Sequence, residues 1–229
     1  MRLSRRTLAA AMLLMLTRNG WAKPEQAFDL TTAEGLLVQN FRIPPGLSPA
    51  NLPGVILNGP ANADLILYEF YDYACPHCRI ASQELDVLLT PGAGVRLGLV
   101  QHPILSPRST GLSRVVLATA KLHGDAAAYR LHVGMFETLG KLSEETALDL
   151  ASAHGLDAAE LKRVAASADI TEILNAQTDR ARALLLPQTP SFVLGDFAFV
   201  GWPGVESVDA FLSSMRRCAG LSCPAPAQR

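Results

Sequence analysis

Two cysteines separated by two residues are the clearest chemical feature of this chain. Cys75 and Cys78 enclose Pro76 and His77, after the apolar segment 65–71 and before a run of helix-forming residues. A cysteine at the first turn of a helix lies near unpaired backbone N–H groups, which stabilise its thiolate. Proline suits the first helical position, and histidine can add a hydrogen-bond donor or a positive charge. The spacing therefore predicts a redox-active dithiol.

Other uses of paired cysteines fit the sequence less well. Zinc could take Cys75 and Cys78 together with Cys218 and Cys223, but four residues separate the second pair and neither pair is followed by a knuckle-like glycine. Covalent haem attachment needs histidine directly after the second cysteine, where Arg79 stands. A purely structural disulfide in so short a loop would gain little from chain entropy. Redox exchange is the favoured interpretation.

The elements that position the dithiol follow from hydrophobic periodicity. Short apolar runs predict strands at 65–71 and 95–101, an edge strand at 55–57, and two strands within 189–200 around a turn at Gly195 and Asp196. Alanine- and leucine-rich segments with a 3.6-residue period predict helices, with a shorter candidate near the N-terminus. These segments are 32–39, 113–123, 126–139, 144–154, 157–167, 170–184 and 207–217. Asp157 and Asp169, each followed three residues later by glutamate, are candidate capping boxes.

The segment EFYDYACPHC, together with the later Thr189–Pro190, resembles the DsbA-like thiol:disulfide oxidoreductases of the thioredoxin superfamily. The resemblance covers about residues 55–217. It implies an α/β, thioredoxin-like fold with a helical insertion domain between the CPHC helix and the cis-proline strand. The resemblance and the residue patterns outside it together predict a signal peptide at 1–22, an N-terminal extension at 23–54, a thioredoxin-like domain at 55–105 and 187–217, a helical insertion at 106–186 and a C-terminal tail at 218–229.

The resemblance also assigns roles to residues outside the CPHC motif. Pro190 matches the family's cis-proline, which would bring the backbone of Thr189 against Cys75 and offer edge groups to a substrate peptide. The alternative is an ordinary proline at the start of a strand. Glu69, in an otherwise apolar run, matches a buried acid that could relay the proton of Cys78, and the alternative is a solvated edge-strand glutamate.

The remaining cysteines and histidines receive structural interpretations. Cys218 and Cys223 predict a structural disulfide that staples the tail, with a second shuttling pair as the alternative. Four histidines lack a neighbouring carboxylate or cysteine partner in the sequence, so we interpret them as helix-end or packing residues. These are His102, His123, His132 and His154. No metal or organic cofactor is implied.

The N-terminal segment predicts export. Arg2, Arg5 and Arg6 precede an apolar run too short to span a bilayer, and a cleavage site follows most simply at Ala22. An uncleaved anchor is the alternative, and the arginine pair also resembles a twin-arginine signal. We expect a periplasmic protein, since disulfides persist in oxidising compartments. The formal net charge of −1 gives no indication of a nucleic-acid partner.

The predicted activity is the introduction of disulfides into exported proteins. The partners would be unfolded or partly folded proteins with free thiols, and a membrane redox partner that reoxidises the enzyme, as the resemblance implies. Proline and histidine between the cysteines match the oxidising members of the family, whereas threonine before the later proline is usual in isomerase and reductase relatives. An isomerase or reductase, and a non-catalytic binding module with inert cysteines, are therefore the alternatives. The absence of a sustained heptad pattern before the core favours a monomer.

Overall fold

Six strands form one mixed β-sheet at the centre of the protein. The computed structural model describes residues 24–90 and 94–224. Across the sheet the strands lie in the order β1–β6–β5–β3–β4–β2; β3 and β4 are parallel and the other neighbouring pairs are antiparallel. The strands are β1 (Asn40–Arg42), β2 (Ile56–Asn58), β3 (Leu65–Tyr71), β4 (Val95–Gln101), β5 (Ser191–Leu194) and β6 (Phe197–Val200). The strands predicted at 65–71 and 95–101 are confirmed, and β2 is the predicted edge strand.

The central strand β3 is covered on both faces. Successive side chains point to opposite faces of a strand, so Glu69 shares a face with Tyr71, while Tyr68 and Phe70 face the other way. Phe70 and Tyr71 are completely buried, because helices cover one face and the N-terminal segment with the end of a long helix covers the other. Tyr68 lies across from Gly98 of β4, and a Cβ atom at Gly98 would stand only 2.5 Å from the Tyr68 ring.

The N-terminal segment forms a turn where a helix was predicted, and a strand follows it. Residues 32–39 contain a turn at Gly35, whose φ is +81°, and an isolated bridge between Thr31 and Leu37. The buried Asn40 amide fixes this segment by donating to the carbonyls of Phe28 and Val38, each at 2.9 Å. Residues 32–39 contain no helix, so the prediction of a helix there is wrong. β1 follows this segment and pairs with β6 at the edge of the sheet.

The other predicted helices exist, with shifted ends. The helix after the dithiol is α1 (Pro76–Leu85), and the last is α7 (Val205–Cys218). Five helices lie between β4 and β5, which confirms the helical insertion. They are α2 (Pro107–His123), α3 (Asp125–Glu137), α4 (Glu144–Ala153), α5 (Ala158–Ala165) and α6 (Ala168–Ala183). The first begins six residues earlier than predicted because Ser106 caps it ahead of Pro107.

Helix capping agrees with the sequence at one of the two predicted positions. The Asp157 carboxylate accepts the backbone N–H groups of Ala159 and Glu160 at 2.9 and 3.0 Å, and so caps α5. Asp169 lies inside the first turn of α6, whose cap is Ser167, so a capping box starting at Asp169 is wrong. Among the described residues, no helix is long and apolar enough to cross a membrane.

Candidate active site

The dithiol lies where α1 meets the start of β5. Cys75 is the N-cap of α1, and its sulfur accepts the backbone N–H of Cys78 at 3.3 Å. Its thiol donates to the carbonyl oxygen of Thr189 at 3.2 Å. The Thr189–Pro190 peptide bond is cis, and Pro190 directly precedes β5. The structure thus brings together the two segments that the sequence separates by 114 residues. Both cysteines of the pair are free thiols.

The two sulfurs have opposite acid–base properties. A hydrogen bond from the Cys78 thiol is the main effect that lowers the pKa of Cys75 to about 6. The neighbouring Thr189 side chain and the backbone N–H groups of His77 and Cys78 act in the same direction, and burial opposes them. Cys78 is completely buried, and desolvation raises the pKa of its thiol far above the ordinary value. At neutral pH the pair therefore holds one thiolate, on Cys75, and one proton, on Cys78.

A buried carboxyl group lies beneath the pair. Glu69 is completely buried, and neither carboxyl oxygen has a hydrogen-bond partner among the described residues. Desolvation, followed by the charge of Cys75, raises the pKa of Glu69 to about 8. The same carboxyl group contributes to raising the pKa of Cys78, so the two groups are electrostatically coupled. The burial predicted for Glu69 is confirmed, and a solvated edge-strand position is ruled out.

Sequence reasoning missed a chain of buried hydrogen bonds beside the dithiol. The Tyr73 hydroxyl lies 3.0 Å from that of Tyr71 and 3.2 Å from Nδ1 of His132. Nε2 of His132 lies 3.3 Å from Oγ of Ser82 on α1, and the Tyr71 hydroxyl accepts the side-chain amide of Gln101. Burial lowers the pKa of His132 to about 3, so the ring is neutral and serves as a connector. Two tyrosines directly before the cysteines were the available signal, whereas nothing in the sequence marked His132.

Asp72 holds the loop that borders the site. Its buried carboxylate accepts the backbone N–H of Ala74 at 2.7 Å and those of Ile104 and Leu105 at 2.8 and 2.7 Å. It also accepts the hydroxyl of Ser109 at 2.5 Å. Four donors to one carboxylate fix the loop after β4 against the turn before Cys75. The side chains of Ile104 and Leu105 remain exposed to solvent.

A groove of about 320 Å³ opens beside Cys75. The turn before α1 and its first residues form one wall, the start of α2 forms the second, and the loop 140–142 forms the third. Arg79, Arg108 and Lys141 lie in these three walls respectively. The Arg79 guanidinium also donates to the carbonyls of Phe136 and Thr138, which ties the end of α3 to the active-site helix. Because the groove borders Cys75, a peptide in it would meet the reactive sulfur.

The other predicted site residues lie in ordinary surroundings. His77 is exposed on α1 between the two cysteines. A disulfide joins Cys218 to Cys223, and its loop buries Leu221 in the core. His123 and His154 are exposed at helix ends, as predicted. No group of three or more His, Cys, Asp or Glu side chains within 24–90 and 94–224 could hold a metal ion.

A thiolate at the start of a helix, a buried partner thiol and a cis-proline beside them define a protein of the thioredoxin class. The family model for the DSBA-like thioredoxin domain matches residues 66–216. The chain belongs to this family of thiol–disulfide oxidoreductases, and its thioredoxin-like fold with a helical insertion is confirmed. A search of curated proteins found no match.

Solved structures share this fold. A thioredoxin-like oxidoreductase from Silicibacter pomeroyi DSS-3 is 28% identical with a TM-score of 0.67, and the match covers 72% of this chain and 94% of that one. The thiol-disulfide exchange protein alpha-DsbA2 from Wolbachia pipientis is 24% identical with a TM-score of 0.60, covering 65% and 80%. BdbD from Bacillus subtilis is 16% identical with a TM-score of 0.61, covering 73% and 94%.

Proposed function

We propose that this protein introduces disulfides into exported proteins by thiol–disulfide exchange through Cys75 and Cys78. The observation that carries the proposal is the opposite acid–base character of the two sulfurs. A lowered pKa at Cys75 makes it a good leaving group and stabilises the reduced enzyme, which makes the disulfide form an oxidant. Pro76 and His77 at the start of α1 are part of this redox centre.

The reaction starts from the oxidised enzyme. A substrate thiolate attacks the sulfur of Cys75, a substrate–Cys75 disulfide forms, and Cys78 leaves as a thiolate. Glu69, protonated below its pKa of about 8, supplies a proton that gives the Cys78 thiol, and solvent restores the proton to Glu69. A second substrate thiolate then attacks the substrate sulfur, and Cys75 leaves as a thiolate. Two electrons pass from the substrate to the enzyme, and the substrate leaves with a new disulfide.

The backbone around the cis peptide bond has a role in binding. The carbonyl of Thr189 already contacts Cys75, so a peptide joined to that sulfur would lie against the segment that leads to Pro190 and β5. In this proposal, backbone groups at Thr189 and Pro190 orient the substrate as an added strand. Cys218 and Cys223 serve as a structural staple and do not exchange with the substrate.

The cellular setting is part of the same proposal. The family relationship and the charged, apolar N-terminus support export to the periplasm through a signal peptide at 1–22, a segment outside the described residues. Reoxidation would fall to a membrane redox partner, as is general in the family. A monomer that needs no cofactor, and the domain divisions predicted above, stay predictions.

An isomerase or reductase is the second candidate. Thr189 supports it, because threonine directly before the cis-proline is usual in isomerase and reductase relatives. The deciding measurement is the reduction potential of the Cys75–Cys78 pair in glutathione buffers, with Cys218 and Cys223 replaced by serine. A potential of about −120 mV, that of the strongly oxidising family member, supports the oxidase. A potential of about −270 mV, as in thioredoxin, refutes the oxidase and favours a reductase.

A further inference from the structure

The groove beside Cys75 contains positive side chains that form no ion pair with the described part of the chain. Arg79, Arg108 and Lys141 line it, and no aspartate or glutamate is among the residues of its walls. Arg79 is engaged with backbone carbonyls. The side chains of Arg108 and Lys141 are exposed and have no ion-pair or hydrogen-bond partner within 24–90 and 94–224. Since the whole chain has a formal net charge of −1, this positive charge is local to the groove.

The acidic groups that the described structure places near the groove form no ion pair with these cations. The Asp72 carboxylate is buried and already accepts four hydrogen bonds from the loop and turn that it holds. Glu144 is the first residue of α4, and its side chain lies beside Gly111 of α2, one turn beyond Arg108. It is not part of the groove wall. A ligand in the groove would therefore meet two solvated cations with no competing anion between them and the sulfur.

Exposed apolar side chains accompany the cations. Ile104 and Leu105, in the loop that leads into α2, are 44% and 53% exposed, and Leu139, beside the third wall, is 91% exposed. Large aliphatic side chains at this exposure, next to an open groove, suit contact with another chain. An extended segment of a non-native protein offers apolar and acidic side chains together, whereas a folded protein buries most of the former.

We propose that this groove selects substrate segments that carry an acidic residue close to the reactive cysteine. The inference rests on the proposed function and names its substrate class. An acidic neighbour disfavours the thiolate of the substrate cysteine and slows its reaction in free solution. Arg108 and Lys141 make acidic segments react faster with this protein than neutral or basic segments, because the two cations attract the acidic segment and offset its negative charge when the substrate thiolate attacks Cys75.

The test compares three nine-residue peptides, each with one cysteine flanked by two glutamates, two glutamines or two lysines. Oxidised full-length protein is mixed with each peptide, and the initial rate of mixed-disulfide formation is measured by acid quench and mass spectrometry. Each rate is divided by the rate of the same peptide with 2-hydroxyethyl disulfide, which removes the intrinsic reactivity of the thiol. We expect the normalised rate of the glutamate peptide to exceed that of the lysine peptide about tenfold at low salt, about threefold for each exposed cation.

Charge-reversal variants locate the effect. In the double variant Arg108→Glu and Lys141→Glu we expect the order of the glutamate and lysine peptides to invert. The matched control is Lys162→Glu on α5, an exposed lysine outside the groove, which should keep the wild-type order. In about 0.5 M salt the wild-type preference should shrink to less than about twofold, because the screening length falls to a few ångströms.

The outcomes separate the two proposals. Equal normalised rates for the three peptides at low salt would overturn the inference and leave the proposed function standing. Retention of the wild-type order in the double variant would also overturn it, because the preference would then arise elsewhere. Failure of every peptide to form a mixed disulfide, while Cys75 and Cys78 are oxidised, would refute the proposed function itself. Circular dichroism of each variant checks that the fold is intact.

Discussion

Replacement of Glu69 by glutamine should change how the stability of the protein depends on pH. In the native protein the pKa of Glu69 is raised to about 8 from an ordinary 4.5, because the carboxyl is buried without a partner. Between these pH values the native state keeps a proton that the unfolded chain has released. The free energy of unfolding of the parent therefore falls by about 1.4 kcal/mol per pH unit in that window. Over the 2.5 units from pH 4.5 to pH 7 the loss is about 3 kcal/mol.

Glutamine has the same shape and cannot ionise. Glu69→Gln should therefore gain about 3 kcal/mol relative to the parent between pH 4.5 and pH 7, and little more above pH 8. Cys75 acts in the opposite sense, because its pKa is lowered to about 6 from 9.0 and its contribution to stability grows as pH rises between those values. Comparing the variant and the parent in the same, reduced state removes most of that contribution.

The assay is urea unfolding at half-unit steps from pH 4.5 to pH 8.5, followed by far-ultraviolet circular dichroism in the presence of a phosphine reductant. Glu172→Gln is the matched control, because Glu172 lies on α6 and is exposed in the native protein. Its stability should follow that of the parent at every pH. Stability curves of Glu69→Gln and the parent that stay parallel from pH 5 to pH 8 would refute the argument from burial.

Three further expectations concern the thiolate, the buried polar chain and the sheet. Titration of far-ultraviolet thiolate absorbance, with Cys75→Ser as the blank, should show a midpoint near pH 6, and a midpoint above pH 8 would contradict the assigned hydrogen bonding. Tyr73→Phe should lower the free energy of unfolding by about 1–3 kcal/mol in urea, because it leaves Nδ1 of buried His132 unpaired; a loss below about 0.5 kcal/mol would count against that bond. Gly98→Ala should cost about 1–3 kcal/mol and lower Tm in calorimetry, because the new Cβ meets the Tyr68 ring at 2.5 Å, and an unchanged Tm would contradict this packing.

Local patterns in the sequence predicted most of the fold. The 3.6-residue period of the inserted helices and the apolar runs of the strands reflect burial on one or both faces, so they can be read without knowing the partner. Residues 32–39 were misassigned because the chain reverses direction at Gly35, and residues 30–31 then pair with residues 37–38. The apolar and polar pattern of the segment did not reveal this local turn.

In the candidate site, too, some features could be predicted from the local sequence and others could not. The spacing of Cys75 and Cys78 was enough to predict their redox role. The contact between Cys75 and Thr189 could be predicted only from the family resemblance. His132 was interpreted as a helix-end or packing residue, but its role as a connector was missed, because its hydrogen bonds to Tyr73 and Ser82 join three separate elements. The groove is likewise a product of tertiary structure, since its walls come from three distant parts of the chain.

The contact between Cys75 and Thr189 has a consequence for the order in which the protein acquires its reactivity. The two residues are 114 positions apart, and the five inserted helices lie between them. Synthesis proceeds at about 5–20 residues per second, so the dithiol exists for several seconds before the segment that completes its surroundings. A nascent chain that ends before residue 187 has both thiols and the whole insertion, but lacks the Thr189 carbonyl that contacts the sulfur. During synthesis the chain thus resembles an unfolded substrate with free cysteines. The surroundings of Cys75 are complete only when β5 pairs with β3.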